Sequence, residues 1–117
     1  MSPEELSDRL LDFAVETGRI TERLPRTRFG QHVAGQLVRS GTSPAPNYEE
    51  GCAAESRRDF IHKLSVCLKE LRESRMWCKL ILKAEMLPDD EISPVYNEAD
   101  ELCRIIRKSV FTAKQKR

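Results

Sequence analysis

The chain of 117 residues is poor in aromatics, at 6%, and has almost no excess charge, since 20 Lys and Arg stand against 19 Asp and Glu. Few aromatics leave no run of rings interleaved with cations on which bases could stack. Near neutrality gives no global attraction to nucleic acid, a membrane or an acidic substrate, so any such partner must be argued from local charge. No stretch of about 18 apolar residues is present, which excludes a membrane-spanning helix. The opening Met-Ser-Pro-Glu-Glu-Leu lacks the basic and apolar regions of a secretion signal, and the expected location is the cytoplasm.

Cys52, Cys67, Cys78 and Cys103 form no Cys-x-x-Cys pair, and His32 and His62 do not cluster with them. Reduced, packed thiols are expected, with no metal and no other cofactor. Asp59 and His62 have helical i, i+3 spacing, but a di-metal bundle needs two such elements and two further carboxylates, so they read as a solvated pair. A Gly-rich phosphate loop, a nucleophile elbow and a dinucleotide fingerprint are all missing. No enzyme and no small-molecule substrate is expected. With 39% hydrophobic residues, 5 Gly and 6 Pro, the composition is globular, and the length suits one domain over residues 1–117.

What the sequence does contain is helical periodicity. Ser2, Pro3 and Glu5 form a helix-start signature, because the serine oxygen can accept a first-turn amide while the glutamate reaches back. Leu6, Leu10, Phe13, Thr17, Ile20 and Leu24 then alternate in steps of four and three, predicting a first helix over about 3–24. Thr27 can cap a second, over about 28–54, with Phe29, Val33, Leu37 and Val38 inward and Gly30, Ala34 and Gly41 allowing close approach. Pro44 and Pro46 lack the amides that Ser40 and Thr42 would use, so this helix should kink there. Ser43 is placed to cap the restart, Asn47 to satisfy a freed carbonyl, and Tyr48 and Cys52 to continue the inward face.

Ser56 and Asp59 open the third helix, about 57–86, whose stripe is Phe60, Leu64, Cys67, Leu71, Ser74, Cys78 and Ile81. Met76 to Leu82 is apolar almost all round, more than one groove between neighbours would cover, so self-association should bury that end. Asp89 or Asp90 is expected to cap the fourth helix, about 90–114, with Ile92, Tyr96, Ala99, Cys103, Ile106, Val110 and Ala113 inward. Four amphipathic helices on short links make an all-α, antiparallel up-down-up-down bundle the economical topology.

Helices one and four both run from acidic to basic, complementing their dipoles. Side by side and antiparallel they should neutralise each other. Arg57, Arg58, Lys114, Lys116 and Arg117 remain at one end as candidate contacts for a phosphate backbone. Arg39, Glu50, Glu70, Arg72, Glu73 and Arg75 lie beside apolar stripes, where ion pairs between helices or subunits are expected rather than catalysis.

Gln36-Leu-Val-Arg39-Ser-Gly-Thr-Ser43-Pro-Ala-Pro-Asn47-Tyr-Glu-Glu50-Gly51 is followed by Ser56-Arg-Arg-Asp59-Phe60 and by Lys69-Glu70-Leu-Arg-Glu73-Ser-Arg-Met-Trp77. This pattern resembles the four-helix-bundle family named for proteins encoded in 23S rRNA intervening sequences, over nearly the whole chain. Many relatives carry smaller residues where this chain has Pro44 and Pro46. The resemblance implies a bacterial antiparallel bundle that assembles as a ring-like homopentamer and has no established enzymatic activity. A related branch is the accessory protein of retroelement reverse transcriptases, where a basic surface meets polymerase and nucleic acid. The expectation is a non-enzymatic oligomeric interaction or scaffold protein whose candidate partner is RNA or a ribonucleoprotein, with a protein-protein adaptor, including a reverse-transcriptase accessory-like role, as the alternative.

Overall fold

The computed structural model describes residues 1–116. Helices are α1 (Pro3–Glu22), α2 (Arg28–Thr42), α3 (Pro44–Cys52), α4 (Arg57–Lys83) and α5 (Asp89–Gln115). α2 and α3 form one rod bent by 17° at residue 43, so the architecture is the expected four-rod antiparallel bundle. α4 packs on α5 and on the α2–α3 rod, α1 packs on α2, α3 and α5, and α1 lies diagonal to α4. The particle measures 49 × 20 × 19 Å. No helix is long and apolar enough to cross a membrane.

Local chemistry sets most helix ends. The Ser2 hydroxyl accepts from the Glu5 amide at 3.1 Å while Glu5 accepts from the Ser2 amide at 3.1 Å, a reciprocal capping box. Thr27 accepts from the Gly30 amide at 3.0 Å and Ser56 from the Asp59 amide at 3.1 Å. α5 departs from expectation: it starts after Pro88 with no side-chain cap, and Asp89, Asp90 and Glu91 occupy its first turn, favourable to the dipole. Pro94 lies inside α5 yet does not end it.

α4 stops at Lys83, short of the expected 86. Met86 N donates to Ile81 O and Glu85 N to Leu82 O, both at 3.1 Å, the paired bonds of a Schellman turn. This turn needs a left-handed residue, and Glu85 supplies it with φ 54°. A side chain there costs about 1 kcal/mol that glycine avoids. Glu85→Gly is therefore expected to raise stability by about 0.5–1 kcal/mol in urea titration, and a loss would contradict this reading.

The bend is gentler than two prolines suggest. Ser43 keeps helical angles, φ −76° and ψ −34°, and makes no side-chain cap bond. Pro44 falls at the first position of α3 and Pro46 within its first turn, where missing amides cost least. Asn47 turns back onto Ser43 itself: its side-chain amide donates to the Ser43 carbonyl at 2.9 Å and hydroxyl at 3.0 Å. The carbonyl it meets also takes the Asn47 backbone amide, at 3.3 Å, so it is not one of those the prolines left without a donor.

The core contains the whole α1 stripe expected from the sequence, and Leu64, Cys67, Leu71, Ser74, Cys78 and Ile81 of α4 are buried. In α2 the inward face is Gly30, Val33, Leu37, Ser40 and Gly41, while Phe29 and Val38 are exposed, contrary to expectation. Glycine sets that face. A Cβ on Gly41 would sit 2.4 Å from Thr17 Oγ1, and one on Gly30 would sit 2.1 Å from the Pro25 carbonyl oxygen, so both approaches require the missing side chain. Cys52, expected inward, is exposed near the end of α3.

Candidate functional site

Several motif residues converge where the α2–α3 rod crosses α4. Arg39 Nη1 meets Glu70 Oε2 at 3.0 Å, and Arg39 Nη2 pairs with Glu73 and also donates to Gln36 Oε1 at 3.2 Å. Trp77 Nε1 donates to Glu73 Oε2 at 3.1 Å, and the Trp77 ring stands edge-on to His32 at 6.0 Å. Glu70 is nearly buried, so the guanidinium supplies the counter-charge its burial requires. Below it, Ser74 Oγ donates to Ser40 Oγ at 2.9 Å, with both hydroxyls fully buried. This cluster joins rods within one chain and leaves its carboxylates occupied by Arg39 and Trp77.

The remaining motif residues are distributed around α3 and the start of α4. A Cβ on Gly51 would approach Leu64 Cδ1 to 2.8 Å and Lys63 Cβ to 3.2 Å, so Gly51 lets α3 lie on α4 beside Phe60. Lys63 Nζ meets Glu50 Oε1 at 3.0 Å across the same contact. Asp59 belongs to the α4 cap, and it and His62 are exposed. No group of His, Cys, Asp and Glu suited to a metal ion occurs among the described residues.

The ionic contacts between α1 and α5 follow the expected complementarity only in part. Arg23, the residue that caps the end of α1, meets Glu91 at 3.4 Å, whereas Arg9, early in α1, meets Glu98 at 2.7 Å and Glu101 at 3.0 Å. The hydrogen bond to Glu98, helped by the one to Glu101, pushes the Arg9 pKa up. The basic end of α5 finds no counterpart in the acidic start of α1 among the described ion pairs.

Of the basic residues expected at one end, Arg57 and Lys116 line a common open recess of about 750 Å³ between the starts of α1 and α4 and the end of α5. Lys108, Glu55, Cys52 and Phe60 also line it, while Arg58 and Lys114 do not. Arg117 lies outside the described residues. A second cationic concavity escaped the sequence reading: Arg72 and Arg75 of α4 and Arg104 and Arg107 of α5 surround a groove of about 280 Å³ with Leu68, Asp100 and Cys103. Its signal was an i, i+3 arginine pair on each of two helices, but only the packing shows that they face each other.

The third surface is apolar. Met76 is 45% exposed and, with Leu80 and Ala84, lines a shallow trough bordered by Lys79 and Lys83. It lies in the segment whose apolar excess stood out in the sequence.

A four-helix bundle with its polar motif residues tied up between rods, and with its concavities on the outside, is the class that fold and surface define. Residues 5–108 match the family of the 23S rRNA-intervening sequence protein, and the chain belongs to that family. The chain is also similar to the crystal structure of a protein with unknown function from the S23 ribosomal protein family of Bacteroides thetaiotaomicron. The two share 29% identity and a TM-score of 0.85 over 94% of this chain and 98% of that one. Comparison with curated proteins gives no match.

Proposed function

We propose that this chain is a non-enzymatic, self-assembling bundle whose assembled surface binds RNA or a ribonucleoprotein. The observation that carries the reading is the exposed Met76–Leu80–Ala84 trough on α4. An apolar patch left open on a small, otherwise well-packed bundle is what a subunit interface supplies. The homopentamer implied by the family resemblance is the assembly we propose. Lys79 and Lys83 at its margin can keep their charges in water while their stems cover apolar surface.

Met76→Glu with Leu80→Glu should reduce the assembly to single chains, because a subunit contact cannot close over two unpaired carboxylates. Light scattering checks this. A double variant whose mass equals that of the wild type would remove the trough from the interface. For the nucleic-acid half, fluorescence anisotropy with a structured RNA over a salt series should give binding that strengthens as salt falls. No binding at low salt would end that half of the reading, since phosphate contacts are strongest there.

A further inference from the structure

We infer that the arginine groove between α4 and α5 is a docking site for the sugar-phosphate backbone of RNA, held by Arg72 and Arg107 with Arg75 and Arg104. This rests on the RNA reading above and assigns it a place other than the end of the bundle. The charge balance in the groove is the starting point. Four guanidiniums and one carboxylate line it, in a chain whose formal net charge is only +1.

Asp100 is fully engaged. Its Oδ1 accepts from Arg75 Nη1 at 2.9 Å and its Oδ2 meets Arg104 Nη2 at 2.9 Å. These two bonds hold Arg75 and Arg104 in place, so the aspartate orients part of the cluster and cannot neutralise the remainder. Arg72 and Arg107 are exposed and have no carboxylate partner among the described ion pairs. Their donors face the same groove from opposite walls.

The residue type favours phosphate. Guanidinium presents a rigid planar fork that matches phosphate oxygens two at a time, where an ammonium offers a point charge. With a rise of 1.5 Å per residue, Arg72 and Arg75 stand about 4.5 Å apart along α4, as do Arg104 and Arg107 along α5, so the four forks lie within a short length of the bundle. No Phe, Tyr or Trp lines the groove itself, so the contact made there is with the backbone and is sequence-independent, while Tyr96 stands in the adjoining hollow with Arg72, Arg75 and Asp100. The groove shares no residue with the Met76–Leu80–Ala84 trough, but the two adjoin, since Arg72, Arg75 and Asp100 line a hollow of about 290 Å³ together with Met76 and Lys79.

The test uses the full chain and a fluorescein-labelled oligouridylate, with anisotropy measured over a salt series. Arg72→Gln with Arg107→Gln should weaken binding about tenfold or more at low salt. It should also flatten the slope of log K against log salt by about 1.4, at about 0.7 for each phosphate no longer neutralised. Neither arginine takes part in an ion pair among the described residues, and an unchanged melting transition verifies the fold of the variant. Arg57→Gln with Lys116→Gln, in the recess at the bundle end, is expected to leave the slope nearly as in the wild type.

Should the groove variant bind as the wild type does while the end-recess variant is the one that weakens, the groove is the wrong site, although the RNA reading survives. A wild-type chain that ignores the oligouridylate and structured RNA but captures poly-L-glutamate overturns both, and assigns the groove to an acidic protein. Arg72→Lys with Arg107→Lys supplies a further check: the salt slope should return toward wild type while affinity recovers only in part, because charge is restored without the fork.

Discussion

Phe13→Ala is expected to destabilise the fold by about 3–5 kcal/mol, a large share of the roughly 5–15 kcal/mol that holds a domain of this size together. Phe13 is fully buried on the central turn of the α1 stripe, between Leu10 and Thr17. Its removal forfeits the transfer free energy of the ring and leaves a cavity that rods packed on three sides can fill only in part. Urea unfolding should show the midpoint falling with little change in slope. Phe111→Ala is the matched control: that ring is 64% exposed, and its loss should stay within about 0.5 kcal/mol. A loss below about 1 kcal/mol for Phe13 would mean that α1 presents another face to the core.

The second large effect is alkaline. Burial pushes the Cys67 and Cys78 thiols up to about 12, and burial raises the Cys103 thiol as well. An unfolded thiol titrates near about 8.5. Between that value and about 12 the unfolded chain has released protons that the folded chain retains, so the stability falls as pH rises. Below about pH 8 both states hold the thiol proton, and these groups contribute no pH dependence. Within the window each of the two thiols removes about 1.4 kcal/mol per pH unit, which makes urea midpoints at about pH 10.5 far lower than at about pH 7.5. Burial raises the Tyr48 phenol too, extending the decline above about pH 10. Cys67→Ala with Cys78→Ala should start from a lower stability and lose less of it per pH unit. Equal midpoints at both pH values in the wild type would show that the thiols are not buried in the protonated form.

The helices were legible because their cause is local and repeated. The Leu6-to-Leu24 rhythm, the Ser2 box and the Thr27 and Ser56 caps each depend on residues within one or two turns, and each stands as the sequence implies. Misreadings arose where tertiary contact chose between local options. Phe29 and Val38 are apolar, yet α2 turns inward on its glycines because Thr17 and the Pro25 carbonyl leave no room for anything larger. Ser43 had the right chemistry for a cap, but Asn47 occupies its hydroxyl while the helix continues through it.

For the interaction surfaces the division is the same. The apolar excess of Met76 to Leu82 could be read along one helix, and part of it remains exposed as the Met76–Leu80 trough. The arginine groove joins residues of α4 with residues of α5, and nothing along the chain brings Arg72 and Arg75 beside Arg104 and Arg107 until the helices pack. Likewise Arg57 and Lys116 do share a recess, whereas helix phase takes Arg58 and Lys114 out of it.

The mass of the native particle in solution bears most directly on the claim that this bundle works by assembling through α4. Light scattering from micromolar chain concentrations upward should give a particle several times the 13.5 kDa of one chain, with five copies the expected number. A mass of one chain that does not change with concentration would contradict the account, because the trough on α4 would then face water in the working protein.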